Sequence, residues 1–225
     1  MTANTPKTLQ IDFVSDVACP WCAVGLGGLQ QAAAQLQGEV ALDLRFQPFE
    51  LNPQMGPEGE DIDEHLQRKY GGTPAQFEAA RATIRQRGEA VGFSFGQRSR
   101  IWNTFDAHRL LHWAGLLDAE AGASGDAQHR LKQALLQAYH GEGRNPSEHA
   151  VLLDLVAQLG LDVARAQAIL ASDEFGAEVR AEEQRWLQLG ISAVPAVVVN
   201  MKHLISGGQP PEVYLQALRQ IAAEA

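Results

Sequence analysis

A chain of 225 residues, 45% hydrophobic and 20% charged, is long enough to bury a substantial core and too apolar to stay disordered. Its formal net charge of -9, with no dense lysine or arginine cluster, argues against any general nucleic-acid surface. The short polar stretch Met1–Thr8 and the lack of any apolar run of bilayer-spanning length argue against a membrane role, and the expected location is cytoplasmic.

Leu9 to Val14 reads as a first strand. Directly after it come the only two cysteines, Cys19 and Cys22, in the run Cys-Pro-Trp-Cys. A helix is expected from Cys19 to about Gln35, with Leu26, Leu29, Ala33 and Leu36 on its apolar side. Val40 to Phe46 alternates as a second strand, Val40, Leu42, Leu44 and Phe46 sharing a face, and Pro48 with the Asn52-Pro53 turn ends it. This opening suits a parallel strand pair joined by a right-handed helical crossover.

From Ile62 to about Leu189 the pattern is helical, with breaks expected at Gly71-Gly72, Gly88, Gly122–Gly125, Gly141–Pro146 and Gly160. Helix starts are expected at Thr73-Pro74, at Asn103 or Thr104, at Asp126, between Asn145 and Ser147, at Asp162 and at Ser172. Leu110, Leu111, Trp113, Leu116 and Leu117 read as helix-packing residues. Two-residue periodicity returns at Ala196–Val199, and a turn at Asn200–Lys202 leads into a strand over His203–Ser206. Pro210-Pro211 then opens a closing helix with Val213, Leu215, Leu218 and Ile221 on its apolar face. The division expected is a two-part domain, residues 8–61 and 190–225, interrupted by helices over residues 62–189.

Two thiols separated by two residues at a strand-to-helix junction suit a redox couple. Cys19 is the expected attacking sulfur, exposed at a helix start whose N–H groups receive developing negative charge; Cys22, one turn inward, would resolve. Pro20 sacrifices an N–H where little bonding is lost, and Trp21 offers a broad surface to shield the pair or meet a peptide. Without a histidine between the cysteines, the couple is expected to be less oxidising than a His-containing one on a comparable scaffold. A zinc site is the competing reading, but no second cysteine pair completes it. The histidines at 65, 108, 112, 129, 140, 149 and 203 show no spacing that ties them to Cys19, so no metal is expected. Asp12 and Asp16 lie near the motif; an exposed or structural carboxylate is the expected role, with an influence on proton transfer from Cys22 the alternative for at most one of them.

The strand, Cys19-Pro20-Trp21-Cys22, the helical insertion and Ile191-Ser192-Ala193-Val194-Pro195 together resemble the FrnE-like branch of the DsbA/thioredoxin superfamily. The runs Asn103-Thr104-Phe105-Asp106-Ala107-His108-Arg109-Leu110 and Ser206-Gly207-Gly208-Gln209-Pro210 add to this likeness, which spans nearly the whole chain. The resemblance implies an α/β protein, a thioredoxin fold with a long all-helical insertion. It implies Cys19 as nucleophile, Cys22 as resolving thiol and Pro195 as a cis-proline beside them, with Val194 meeting an extended substrate through its backbone.

The activity so implied is thiol-disulfide exchange with protein substrates, with disulfide isomerisation as a further capacity and no required cofactor. The alternative from the same superfamily is a glutathione-dependent 2-hydroxychromene-2-carboxylate isomerase or kappa-class transferase, in which a serine commonly stands at the reactive position. Either way glutathione fits as reductant or cosubstrate, with Asn52, Val194, Ser206, Gly207, Gly208 and Gln209 lining a groove and the N–H groups of the last helix receiving a carboxylate. The resemblance places Asn103, Thr104 and His108 near the thiol face, where they are expected chiefly as satisfied polar groups that support the fold, with orientation of a polar substrate or water as the alternative. A redox-regulated protein-binding module is the remaining alternative.

Overall fold

The computed structural model describes residues 7–122 and 125–224. Its main sheet has four strands, β1 (Lys7–Ser15), β2 (Val40–Pro48), β5 (Ala196–Val199) and β6 (His203–Ser206), in the order β2-β1-β5-β6. β1 runs parallel to β2, with Phe13 opposite Phe46, and antiparallel to β5, with Phe13 opposite Val197; β6 pairs antiparallel with β5. β1 is therefore a central strand with both faces covered, which is why Ile11 through Ser15 are all buried.

Helices α1 (Pro20–Gln35) and α9 (Pro211–Glu224) close over one face, where Leu9, Ile11 and Phe13 meet Leu26, Leu29 and Leu218. The other face packs Val14, Ala196 and Val198 against Trp186 and Ile191. The architecture is the expected thioredoxin fold with a helical insertion. That insertion holds α2 (Ile62–Tyr70), α3 (Pro74–Ala90), α4 (Phe105–Ala121), α5 (Ala127–Leu136), a π-helical turn (Gln137–Gly141), α6 (His149–Gln158), α7 (Val163–Leu170) and α8 (Gly176–Gln188). It has its own core, in which Leu110, Trp113, Leu131 and Leu152 pack together, and this core reaches Val17 and Ala18 just before the cysteines.

Several sequence readings are corrected. The insertion is not wholly helical: β3 (Glu60–Asp61) and β4 (Arg100–Ile101) form a short antiparallel ladder across its expected start. Gly88 does not break α3, because its role is close approach; a methyl there would lie 2.5 Å from the Phe95 ring and 2.7 Å from the Phe93 carbonyl oxygen. α6 begins after Glu148, since Asn145 spends its side chain on the Ser147 N–H in a preceding turn. Ser172 belongs to the end of α7, where its hydroxyl donates to the Ala168 carbonyl, and α8 starts only after Phe175 at φ 62°. In α1 it is Ala32 that is buried and Ala33 that is half-buried, and in α9 Tyr214 is buried in place of the exposed Val213. Leu116 is likewise exposed. The break expected at Gly122–Gly125 includes residues 123 and 124, which lie outside the described residues, as do most of Met1–Thr8 and the final residue 225.

Candidate active site

The end of β1 feeds a tight turn built on Asp16. The Cys19 N–H donates to the Asp16 carbonyl at 3.2 Å, and the Ala18 N–H donates to Asp16 Oδ1 at 3.0 Å. Cys19 thereby takes the N-cap position of α1, with φ −88° and ψ 114°, and Pro20 follows where a missing N–H costs nothing. The Cys22 N–H closes onto the Cys19 carbonyl at 3.1 Å. Both thiols are free. Cys19 Sγ donates to the Val194 carbonyl oxygen at 3.5 Å, and the Val194–Pro195 peptide is cis. The attacking position is less open than the sequence suggests: Cys19 is only 4% exposed, and Cys22 is fully buried.

Burial pushes the Cys22 thiol well up, helped by its hydrogen bond to Cys19 and by the charge there, while Lys132 pulls the other way. Burial also acts to raise Asp16, but His108 and the N–H groups of Leu51 and Ala18 overcome it and hold the carboxyl below its ordinary range. Asp16 is thus a buried anion with a full set of partners, including the Thr104 hydroxyl at 2.7 Å and the Leu51 N–H at 2.7 Å. His140, on the π-helical turn, sits 2.8 Å from the Val17 carbonyl through Nε2. Burial, then the Arg98 charge, lowers it well below the usual imidazole range, so the neutral ring donates from Nε2.

The residues expected at the site fall into three groups. Trp21, Val194 and Pro195 do gather around the cysteines, Trp21 and Val194 packing half-buried on the cluster that contains both sulfurs. Ser206, Gly207, Gly208 and Gln209 adjoin them: the Gly207 N–H donates to the Pro195 carbonyl at 2.8 Å, and a methyl on Gly208 would stand 2.8 Å from the Trp21 carbonyl oxygen. Asn52 and Asn103 are loop ties. Asn52 Oδ1 accepts from Lys69 Nζ at 2.8 Å, and Asn103 donates to the Met55 carbonyl at 3.0 Å while accepting from the Phe105 N–H at 2.8 Å.

Thr104 and His108 are buried rather than presented to a substrate. They belong behind the cysteines, His108 Nε2 lying 3.5 Å from Asp16 Oδ1. The start of α9 is also a poorer carboxylate receptor than expected, because Pro211 has no N–H and Glu212 places an anion in the first turn.

Five residues near the site carry no role in the sequence reading. Tyr70, at the end of α2 and largely exposed, is raised by partial burial and then by the charge of Cys19, which sets it at the rim of the thiol face. Glu50, buried beside Asn103, is bound by Arg180, which also holds Glu183 at 2.8 Å. Lys132 of α5 is completely buried. Its only sequence signal is its spacing, four residues from Gln128 and four from Leu136, which places a lysine on an inward stripe. No group of three or more histidine, cysteine or acidic side chains is placed to hold a metal among the described residues.

Residues 10–219 match the family described as the DSBA-like thioredoxin domain. A probable DsbA oxidoreductase from Streptomyces coelicolor superposes with a TM-score of 0.85 at 31% identity, over 96% of this chain and 91% of that one. A 2-hydroxychromene-2-carboxylate isomerase superposes with a TM-score of 0.71 at 13% identity, covering 96% of this chain and 97% of that one. The cytosolic disulfide reductase DsbM of Pseudomonas aeruginosa, solved with glutathione, gives 0.61 at 20% identity over 94% of this chain and 98% of its own.

Proposed function

Because the chain belongs to the DsbA-like thioredoxin family, we propose that it is a thiol-disulfide oxidoreductase acting on protein disulfides through Cys19 and Cys22. One observation carries this reading: Cys19 stands at the N-cap position of α1, donates from its thiol to the Val194 carbonyl oxygen and lies one turn from a second free thiol. The Cys19 thiolate attacks one sulfur of a substrate disulfide, the substrate S–S bond breaks, and the departing sulfur leaves as a thiolate that takes up a proton. Cys22 then attacks Cys19 in the mixed disulfide, releasing the second substrate thiol and closing the Cys19–Cys22 ring. The reverse sequence oxidises a substrate dithiol, and relative reduction potentials set the direction. Escape of the mixed disulfide before resolution gives the isomerising capacity.

Val194 and Trp21 are the proposed peptide contacts, with Tyr70 at the rim. Glutathione is the proposed reductant, supported by the glutathione bound in the DsbM structure and by the fold shared with it. A cytoplasmic setting fits that pairing. Retention of both thiols favours exchange over the isomerase chemistry of the 2-hydroxychromene-2-carboxylate relative, whose likeness is one of fold.

Replacing Cys19 with serine should abolish exchange with a peptide disulfide, whereas Cys22→Ser should trap a Cys19-linked adduct visible by intact-mass spectrometry. Undiminished turnover in both variants rejects the assignment.

A further inference from the structure

The resolving thiol is the less accessible one, and it must lose its proton to act. Cys22 is fully buried and burial raises its proton affinity, so the resolving step needs a nearby group to take that proton. Asp16 is poorly suited, because its oxygens already accept from the Ala18 and Leu51 N–H groups and the Thr104 hydroxyl.

Lys132 is different. It is wholly buried, and its Nζ has no hydrogen-bond partner among the described residues. The stripe on α5 explains where it points. Gln128, four residues before, is bonded to the Phe46 backbone of β2, and Leu136, four residues after, packs in the same cluster as Cys19, Cys22 and Leu26. Lys132 lies between these two anchors in the helix, and it and His108 are among the residues lining a cleft of about 1000 Å³ bordered by β2 and helices α4 and α5. An amine with no hydrogen-bond partner, whose charge acts on Cys22 and which borders an opening to solvent, is a costly feature for packing alone to maintain.

We propose that Lys132 takes up the proton of Cys22 in the resolving step and returns it to solvent through this cleft. The inference rests on the exchange function argued above. The Cys22 S–H gives its proton to the Lys132 amine, leaving a thiolate beside an ammonium. The thiolate attacks Cys19 of the mixed disulfide, the Cys19–substrate bond breaks, and the leaving thiolate is protonated from water. The dithiol is oxidised, the substrate disulfide is reduced, and no further reagent enters. Burial lowers the proton affinity of Lys132 and the charges at Cys22, Asp16 and Cys19 act to raise it, while burial raises that of Cys22. The charge of Lys132 also acts on His140, and the titratable groups that share its cleft are His108, His112 and His129, the carboxylates of Asp43, Asp118, Asp126 and Glu182, and the guanidinium groups of Arg45 and Arg185.

Lys132→Met keeps the length of the side chain and removes the amine. With a peptide disulfide in stopped flow, attack by Cys19, followed in a Cys22→Ser background, should change by less than twofold. Release of the substrate thiol from the mixed disulfide with Cys22 present should slow at least tenfold. Resolution at the unmodified rate overturns the proposal. Absence of Cys19 attack in the parent protein would instead defeat the exchange reading and this inference with it.

A second measurement needs no change at position 132. The ε-carbon of Lys132, followed by NMR, should titrate at least half a pH unit lower in Cys22→Ser than in the parent reduced protein. An unmoved midpoint shows the two groups to be uncoupled and overturns the proposal even if Lys132→Met does not fold.

Discussion

Gly25 and Gly28 lie on the side of α1 that meets the loop before α9. A methyl on Gly25 would come within 2.9 Å of Pro195 Cγ, and one on Gly28 within 2.6 Å of the Gln209 carbonyl oxygen. Helix propensity alone would favour alanine at either position by about 1 kcal/mol. Overpacking typically costs about 1–3 kcal/mol, and neither a proline ring nor a backbone carbonyl can swing aside. The steric effect wins. Gly25→Ala should therefore lower stability by about 1 kcal/mol net and, by lifting α1 from the Val194–Pro195 segment, slow the Cys19 step. Thermal unfolding and a disulfide-exchange assay read the two effects separately; a higher melting temperature with unchanged exchange would show that the helix and the loop have room to spare. Gly208 is the reciprocal half of this contact, against the Trp21 carbonyl, so the Ser206–Gln209 run functions here as a close-packing surface for the helix that carries the cysteines.

β2 is an edge strand of the main sheet, yet at Phe46 its outer hydrogen-bonding side is not bare. The Gln128 side chain accepts from the Phe46 N–H at 2.9 Å and donates to the Phe46 carbonyl at 3.0 Å, as a neighbouring strand would. Gln128→Ala leaves both groups unpaired in a partly buried position, and about 1–3 kcal/mol of stability should be lost. The Phe46 amide should also exchange its hydrogen faster than its neighbours in β2, and equal protection would deny this role. Such a contact was not legible in the sequence, because it depends on two positions 82 residues apart. The elements themselves were legible where periodicity and caps agreed. Thr73 and Gln76 form a reciprocal capping box ahead of α3, Asp162 caps α7, and the alternating residues of β1, β2 and β5 give the sheet. The motif singled out Cys19 and Cys22, and the family resemblance implied the cis Val194–Pro195 peptide that the structure has. What stayed hidden was the partner each group finds: Thr104 and His108, expected as fold-supporting polar groups, turn inward onto Asp16, and a helix carries Lys132 into the core with no local signal of burial beyond its spacing.

The insertion and the sheet domain are also joined by charge, through Arg180 and Glu183 of α8 and Glu50 beyond the end of β2. Burial, reinforced by the charge of Glu183 and opposed by His108 and Arg180, raises Glu50 from 4.5 to about 7. Folding thus binds a proton at Glu50 between those two values. Its contribution is most favourable below pH 4.5, declines as pH rises through about 7 and is constant above that. The full span corresponds to roughly 3 kcal/mol at most. His140 acts in the opposite sense: its lowered affinity makes the unfolded chain bind the extra proton, so stability from it grows as pH rises to its ordinary 6.5. The raw pH dependence of the protein therefore mixes two opposing slopes, and a variant is needed to separate them. Glu50→Gln removes the titration while Glu183 still holds Arg180 at 2.8 Å. Urea unfolding at pH 5, 6.5 and 8 should find the variant close to the parent at the lowest pH and more stable than it by about 1–3 kcal/mol at the highest. Parallel stability profiles across that range would mean that Glu50 titrates normally, and that the joint between insertion and sheet is indifferent to pH.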